Sequence, residues 1–325
     1  MKTTRHALCA AATALALTCS VVAPVLAAAD TVETVEQTES SSSSLDSEVL
    51  KTVGIVLGVL AALGVGLAML PKLNLPAVPA VPAVPAVPPG RSYDVVRPQG
   101  WAPGKRYPII VAFGGWRHTA EDARRYQRLE SAAGRDAIVV YARGVENAWG
   151  GAPYAATSMV EDFDYVRGVI AEVSRHHGGD PRRVAAVGFS NGGGMAAAIA
   201  CHAPDMVGAV VSVAGAFYGP TVNGCAPGAV ATLIMHGTND QVVGYNGGVR
   251  HNTGYESAPR VFDTFRTKNA CGPHVNEWRD GAVTTFDGTG CAKPTKLIRI
   301  DGGLHHWFPN PDTTQESVRF ALANI

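Results

Sequence analysis

The stretch RRVAAVGFSNGG, Arg182 to Gly193, constrains this chain more than any other feature. A β-branched apolar run enters Gly188-Phe189-Ser190-Asn191-Gly192 and leaves through an alanine-rich segment, the pattern of a strand turning sharply into a helix. Glycine on both sides of Ser190 removes the Cβ atoms that would clash in so tight a turn, and the turn exposes the hydroxyl. It also sets Ser190 at a helix N-terminus, where backbone N–H groups favour developing negative charge. From Tyr93 onward short apolar, β-branched runs alternate with longer amphipathic stretches, so the expected fold class is α/β with a mostly parallel central sheet flanked by helices.

The rest of the chain from Tyr93 onward fits that expectation. Strands are predicted at Tyr93 to Arg97, Tyr107 to Phe113, Ala137 to Ala142, Arg183 to Phe189, Ala209 to Ala214, Ala231 to His236 and Lys296 to Ile300. Helical periodicity covers Ala120 to Gly134, Val160 to His177, Asn191 to Ala203, Ala258 to Asn269 and Thr313 to Ala323. VNEWRDGAVTTF, with Asp280-Gly281 between two strand-forming runs, predicts a hairpin. Glu161 and Asp162 open a long helix and are expected to stabilise its N-terminus.

A serine hydroxyl becomes a nucleophile only beside a base that an acid orients. Both candidates follow Ser190: Asp240 in HGTNDQVV after one apolar strand, and a histidine of DGGLHHW after another. Residue chemistry alone leaves His305 and His306 open, whereas His236 precedes the acid and is read as a brace for its loop. The order Ser, Asp, His with each member after a separate strand is that of α/β-hydrolases. Oxyanion donors are expected from the backbone N–H of Asn191 and from FGGW, with Trp116 preferred over Gly115. Trp116, Trp149 and Trp307 lie close in sequence to loops of this site, and Trp149 and Trp307 are taken as substrate-lining.

VAFGGW, GFSNGG, HGTND and GGLHHW together resemble the α/β-hydrolase family of extracellular polyhydroxybutyrate depolymerases, feruloyl esterases and acetylxylan esterases, over nearly all of Arg91 to Ile325. The resemblance implies a serine carboxylic-ester hydrolase with Ser190, Asp240 and His305 as catalytic triad, and it chooses His305 over His306. It implies no metal or organic cofactor. Where the family commonly has His-Gly in its oxyanion loop, this chain has Gly114-Gly115-Trp116. An acyltransferase acting on envelope sugars and an inactive surface binding domain are the alternatives compatible with the same residues.

The first ninety residues differ from the rest. Residues 1–29 read as a secretory signal peptide, with Lys2 and Arg5, an apolar run, and small residues at which cleavage after Ala27 or Ala29 is expected. Residues 30–52 are polar and acidic and are expected to lack order. Val53 to Leu70 is an uncharged stretch near the lower length for a membrane span. A single span after a cleaved signal would return the C-terminal domain to the cytoplasm, so either both hydrophobic stretches span or the second associates with an envelope, an oligomer or a lipid interface. Residues 71–90 carry a Pro-every-third repeat, whose fourteen residues from Pro76 to Pro89 read as a polyproline II spacer reaching on the order of 40 Å at ~3.1 Å per residue. The catalytic domain is assigned to 91–325.

Six cysteines are present, and Cys9 and Cys19 fall in the signal. The other four suit an oxidising compartment, with proximity favouring Cys201–Cys225 and Cys271–Cys291 among three pairings. They lack the paired spacing of a zinc site. Lys plus Arg number 27 against 27 Asp plus Glu, with no basic cluster, which argues against a nucleic-acid partner.

Overall fold

The computed structural model describes Val32–Val35 and residues 85–325. The signal sequence, the hydrophobic stretch 53–70 and most of the Pro-rich repeat lie outside the described residues.

Twelve strands are described: β1 Val32–Val35, β2 Tyr93–Val96, β3 Tyr107–Phe113, β4 Ile138–Ala142, β5 Gly179–Phe189, β6 Ala209–Val213, β7 Ala231–Gly237, β8 Gly248–Arg250, β9 Thr253–Tyr255, β10 Val275–Asp280, β11 Val283–Gly288 and β12 Thr295–Ile300. The helices are α1 Ala120–Gln127, α2 Leu129–Ala133, α3 Met159–His176, α4 Asn191–His202, α5 Gly219–Val222, α6 Ala258–Lys268 and α7 Thr313–Ala323. Ten strands form one sheet in the order β1-β2-β4-β3-β5-β6-β7-β12-β11-β10. From β4 to β12 every pairing is parallel. The outer pairings on both sides are antiparallel.

The central strands read as unbroken apolar runs because both faces are covered. In β3, Ile109, Val111 and Phe113 face one core layer while Ile110 and Ala112 face the other. The first layer packs beneath α3, α4 and α6, and the second beneath α1, α2 and α7. Parallel strands carry all their C-terminal ends to one edge, so Ser190, Asp240 and His305, each following a different strand, share that edge.

Several expectations need correction. The helix predicted across Ala120 to Gly134 breaks at Arg128, which adopts φ 47°. The buried Tyr141 hydroxyl accepts the Leu129 N–H at 2.9 Å and so takes over from the helical carbonyl there. β5 starts at Gly179, four residues early, since Gly179 pairs with Tyr107 through a register shift. Within the segment expected to lack order, Val32–Val35 pairs antiparallel with β2, whose outer edge offers unpaired backbone to an alternating VETV sequence.

The boundary at Arg91 also moves. Val87 is 2% exposed and belongs to the first core layer, and the Ala86 backbone passes so close to Gly168 of α3 that a Cβ there would lie 2.4 Å from the Ala86 carbonyl oxygen. Arg91 is buried, pairs with Asp162 at 2.9 Å and stacks over Tyr165. Asp162 therefore ties down the domain entrance, accepting also from the Gly150 N–H and Thr157 hydroxyl. Helix capping falls to Glu161, which closes a capping box with Ser158.

Disulfides link Cys201 to Cys225 and Cys271 to Cys291. Cys201 lies in the last turn of α4, so the first bond fixes the far end of the helix that begins at Ser190. Replacing Cys201 and Cys225 by alanine is expected to cost about 2–4 kcal/mol by releasing closure of a loop of this length in the unfolded chain. Urea denaturation of the variant under oxidising conditions measures it.

Candidate active site

Ser190 sits between β5 and α4 at φ 56° and ψ −119°, a backbone region that costs on the order of 1–3 kcal/mol and persists only where neighbours enforce it. Its N–H donates to Val213 at 2.9 Å, and its carbonyl accepts from Gly194 and Ala216. A Cβ on Gly188 would meet the Gly192 carbonyl oxygen at 1.9 Å, and one on Gly192 would meet that of Phe113 at 2.3 Å. Only glycine fits at either place.

Asp240 follows β7 and is 6% exposed. Its Oδ1 accepts from the N–H groups of Val242 and Val243, both at 2.8 Å. Its Oδ2 lies 2.7 Å from Nδ1 of His305 and 3.3 Å from Nε2 of His236. His236 Nε2 faces this carboxylate and also the Val243 carbonyl at 2.8 Å. Two acceptors at one nitrogen place the proton on Nε2, so His236 donates and braces the acid.

His305 reaches across from the loop after β12, with Nε2 2.9 Å from Ser190 Oγ. Its ring lies against Phe189 at 4.9 Å between centroids, and Tyr126 in turn packs edge-on against Phe189 at 5.0 Å. His306 is exposed, and its ring takes no part in this chain of bonds among the described residues.

Burial works against ionisation of Asp240, but hydrogen bonds from His236, His305 and Val243 outweigh it and hold the carboxyl well below the usual carboxylate range. A carboxyl depressed in the folded state contributes stability that is complete above the unfolded value, near ~3.9, and is lost as pH falls through the lower folded value. Asp240→Asn is therefore expected to flatten the acid limb of stability against pH. Urea midpoints of the two proteins measured from neutrality down to the acid transition test this, and parallel curves would refute it.

The loop after β3 passes directly beside the serine: a Cβ on Gly115 would lie 3.3 Å from Ser190 Cβ. The N–H of Asn191, first residue of α4, has no carbonyl one turn back to bond. Trp116 extends from this loop half-exposed, stacked on Tyr154 at 4.5 Å and edge-on to His251 at 5.2 Å. Tyr154 and His251 were missed in the sequence because they come from an irregular loop and the β8–β9 turn, where no period marks them. Leu304 and Val242, close in sequence to the histidine and aspartate, are apolar side chains left 44% and 36% exposed.

Of the two tryptophans expected to line the site, Trp149 is enclosed in the core instead. Trp149 is 2% exposed in the first core layer, edge-on to Phe113, with its indole N–H bonded to the Gly114 carbonyl. Trp307 packs against the second layer and donates through Nε1 to Thr314, while its backbone N–H donates to the Tyr126 hydroxyl. These two bonds anchor the chain two residues after His305. Among the described residues, no group of three or more His, Cys, Asp or Glu side chains could hold a metal ion, and no helix is long and apolar enough to cross a membrane.

A parallel sheet with a serine on a strained turn, met by a histidine and an aspartate from later strand ends, defines an α/β-hydrolase. Acetyl xylan esterase from Aspergillus awamori shares the fold with a TM-score of 0.54 at 13% identity, over 74% of this chain and 98% of that one. A Bacillus cereus carboxylesterase does so with a TM-score of 0.51 at 12% identity, over 73% and 95%. Residues 90–243 match the family model Esterase, described as "Putative esterase". Feruloyl esterase C of Emericella nidulans is 29% identical over 227 residues, 66% of this chain and 76% of that protein. "Probable feruloyl esterase C" of Aspergillus terreus is 30% identical over 228 residues, with the same shares of each. The chain belongs to this esterase family and is a carboxylic-ester hydrolase.

Proposed function

We propose that this esterase works through an acyl-enzyme on Ser190, with His305 as general base and acid and Asp240 as its orienting carboxylate. The observation that carries the reading is the pair of contacts made by one imidazole, 2.7 Å to Asp240 and 2.9 Å to Ser190. His305 Nε2 takes the hydroxyl proton as Oγ bonds to the ester carbon. Charge gathers on the former carbonyl oxygen, which the backbone N–H groups of Asn191 and Trp116 stabilise. Collapse of the tetrahedral adduct breaks the bond to the alcohol oxygen, which leaves with the proton from His305. A water deprotonated by His305 then attacks the acyl carbon, releasing the acid and restoring Ser190. No step calls for a metal or organic cofactor.

The proposed substrates are esters of a planar aromatic acid. The stacked Trp116–Tyr154 pair with His251 supports this, since flat aromatic faces favour a flat partner, and so does likeness to proteins named feruloyl esterase. The two disulfides support export to an oxidising compartment. A fluorophosphonate probe should label Ser190, as peptide mass analysis would show; an unlabelled serine in active enzyme would overturn the mechanism. Purified enzyme assayed on feruloyl, acetyl and long-chain acyl esters and on insoluble polyester should favour the feruloyl esters. Trp116→Ala should raise KM for them more than for acetyl esters.

A further inference from the structure

We infer that Trp149 and the Asn191 carboxamide form a positioning pair that sets the two strands of backbone around the developing oxyanion. This rests on the reading of Ser190 as nucleophile. The carboxamide clamps the Trp149 residue on both sides: Oδ1 accepts its backbone N–H at 2.8 Å, and Nδ2 donates to its carbonyl at 3.2 Å. Both residues are 2% exposed, so water does not compete for these bonds. The Trp149 indole N–H then crosses to the Gly114 carbonyl at 3.0 Å, and two residues upstream the Asn147 carbonyl accepts from Arg117 N–H at 2.8 Å. Segment 147–149 thus grips the 114–117 loop at two points while gripped itself by the first residue of α4.

The consequence for the chemistry follows from peptide planarity. A trans peptide points its N–H opposite to its carbonyl, so fixing a carbonyl fixes the direction of the N–H in the same unit. Trp149 fixes the Gly114 carbonyl, and the His118 N–H fixes that of Gly115 at 3.0 Å, which directs the Trp116 N–H. Gly114 and Gly115 have no Cβ to resist a peptide flip. From outside the loop, Trp149 holds the Gly114 carbonyl and the Asn147 carbonyl holds the Arg117 N–H, one peptide on either side of the Gly115–Trp116 unit. Because Asn191 carries both the clamp and the other proposed donor N–H, the two donors are held in one rigid frame. Preorganised donors stabilise charge without reorganising during reaction, so loosening the frame raises the transition state and leaves ground-state binding nearly unchanged.

Trp149→Phe keeps an aromatic ring in the core and deletes the N–H. With an activated aryl ester it should lower kcat about 10- to 100-fold with KM within about threefold, below the loss from deleting a donor outright. Phosphonylation of Ser190 by a fluorophosphonate, whose P=O enters the same space, should slow by a similar factor. Asn191→Ala, which leaves the indole in place, should show the same split and carries the test if Trp149→Phe does not fold. A variant that loses melting temperature but keeps kcat and the phosphonylation rate would overturn the proposal while leaving the nucleophile intact. Wild-type enzyme that is active yet unlabelled at Ser190 would overturn both.

Discussion

Replacing Ser190 by alanine should lower kcat for an activated aryl ester by a factor approaching ~10⁶, and adding His305→Ala to it should lower kcat little further. In the proposed mechanism one proton passes between the two side chains, 2.9 Å apart, so neither acts without the other and their losses do not add. His305→Ala alone should fall nearly as far. Asp240→Asn should fall less, because serine and imidazole remain and only orientation and tautomer are lost. The folded state should persist in Ser190→Ala, with the same circular dichroism and a similar melting temperature, since the hydroxyl is not a packing group. Steady-state rates of the singles and the double, after titrating out contaminating hydrolase, provide the check. Multiplicative losses in the double, or a Ser190→Ala enzyme near wild-type activity, would remove the shared-proton mechanism.

The largest stability effect should come from Gly188→Ala. The added methyl would sit 1.9 Å from the Gly192 carbonyl oxygen, inside a turn whose atoms are backbone held by α4 and β6. Flexible side chains can swing away from such a contact, but this peptide cannot without unseating Ser190 from its φ of 56°. Overpacking of this kind commonly costs 1–3 kcal/mol, and a rigid backbone neighbour puts the expected value at about 3 kcal/mol or more. For a domain of this size that is a drop of roughly 6–12 °C in Tm. Activity should fall further than the unfolded fraction explains, because the turn that presents the hydroxyl must open to admit the methyl. Calorimetry with single-turnover kinetics at a temperature where the variant is folded separates the two losses. Gly302→Ala is a useful contrast, since nothing lies within 4 Å of a Cβ there and only its φ of 73° opposes the change.

The regular frame was readable because its determinants are local. β3 and the final helix, α7, fall on their predicted residues, since an apolar run bounded by turn residues, or a 3.6-residue period ending at a cap, is encoded within a dozen positions. The serine turn was readable for the same reason: glycines at 188 and 192 answer a steric demand made inside five residues. Misreadings occurred where a distant partner decides. Arg128 breaks a helix because the Tyr141 hydroxyl arrives from β4, and Val87 joins the core because Gly168 of α3 leaves room for the chain. The β1 pairing depends on a sheet edge far along the chain.

Trp149 shows the limit most clearly. By position it belongs with Trp116 as a wall of the site, yet the fold turns its ring inward and leaves only its N–H facing the loop that passes Ser190. Chain order and residue chemistry alone determined an α/β sheet, a serine on a sharp turn, and which acid and base could follow it, because these rest on sterics and periodicity within short windows. Tertiary structure decided which side chains face one another: the 2.7 Å and 2.9 Å contacts of His305, the bracing of Asp240 by His236, and the burial of Trp149. Each joins residues separated in sequence through the stacking of strands, and the direction of a side chain across such a gap is settled by packing.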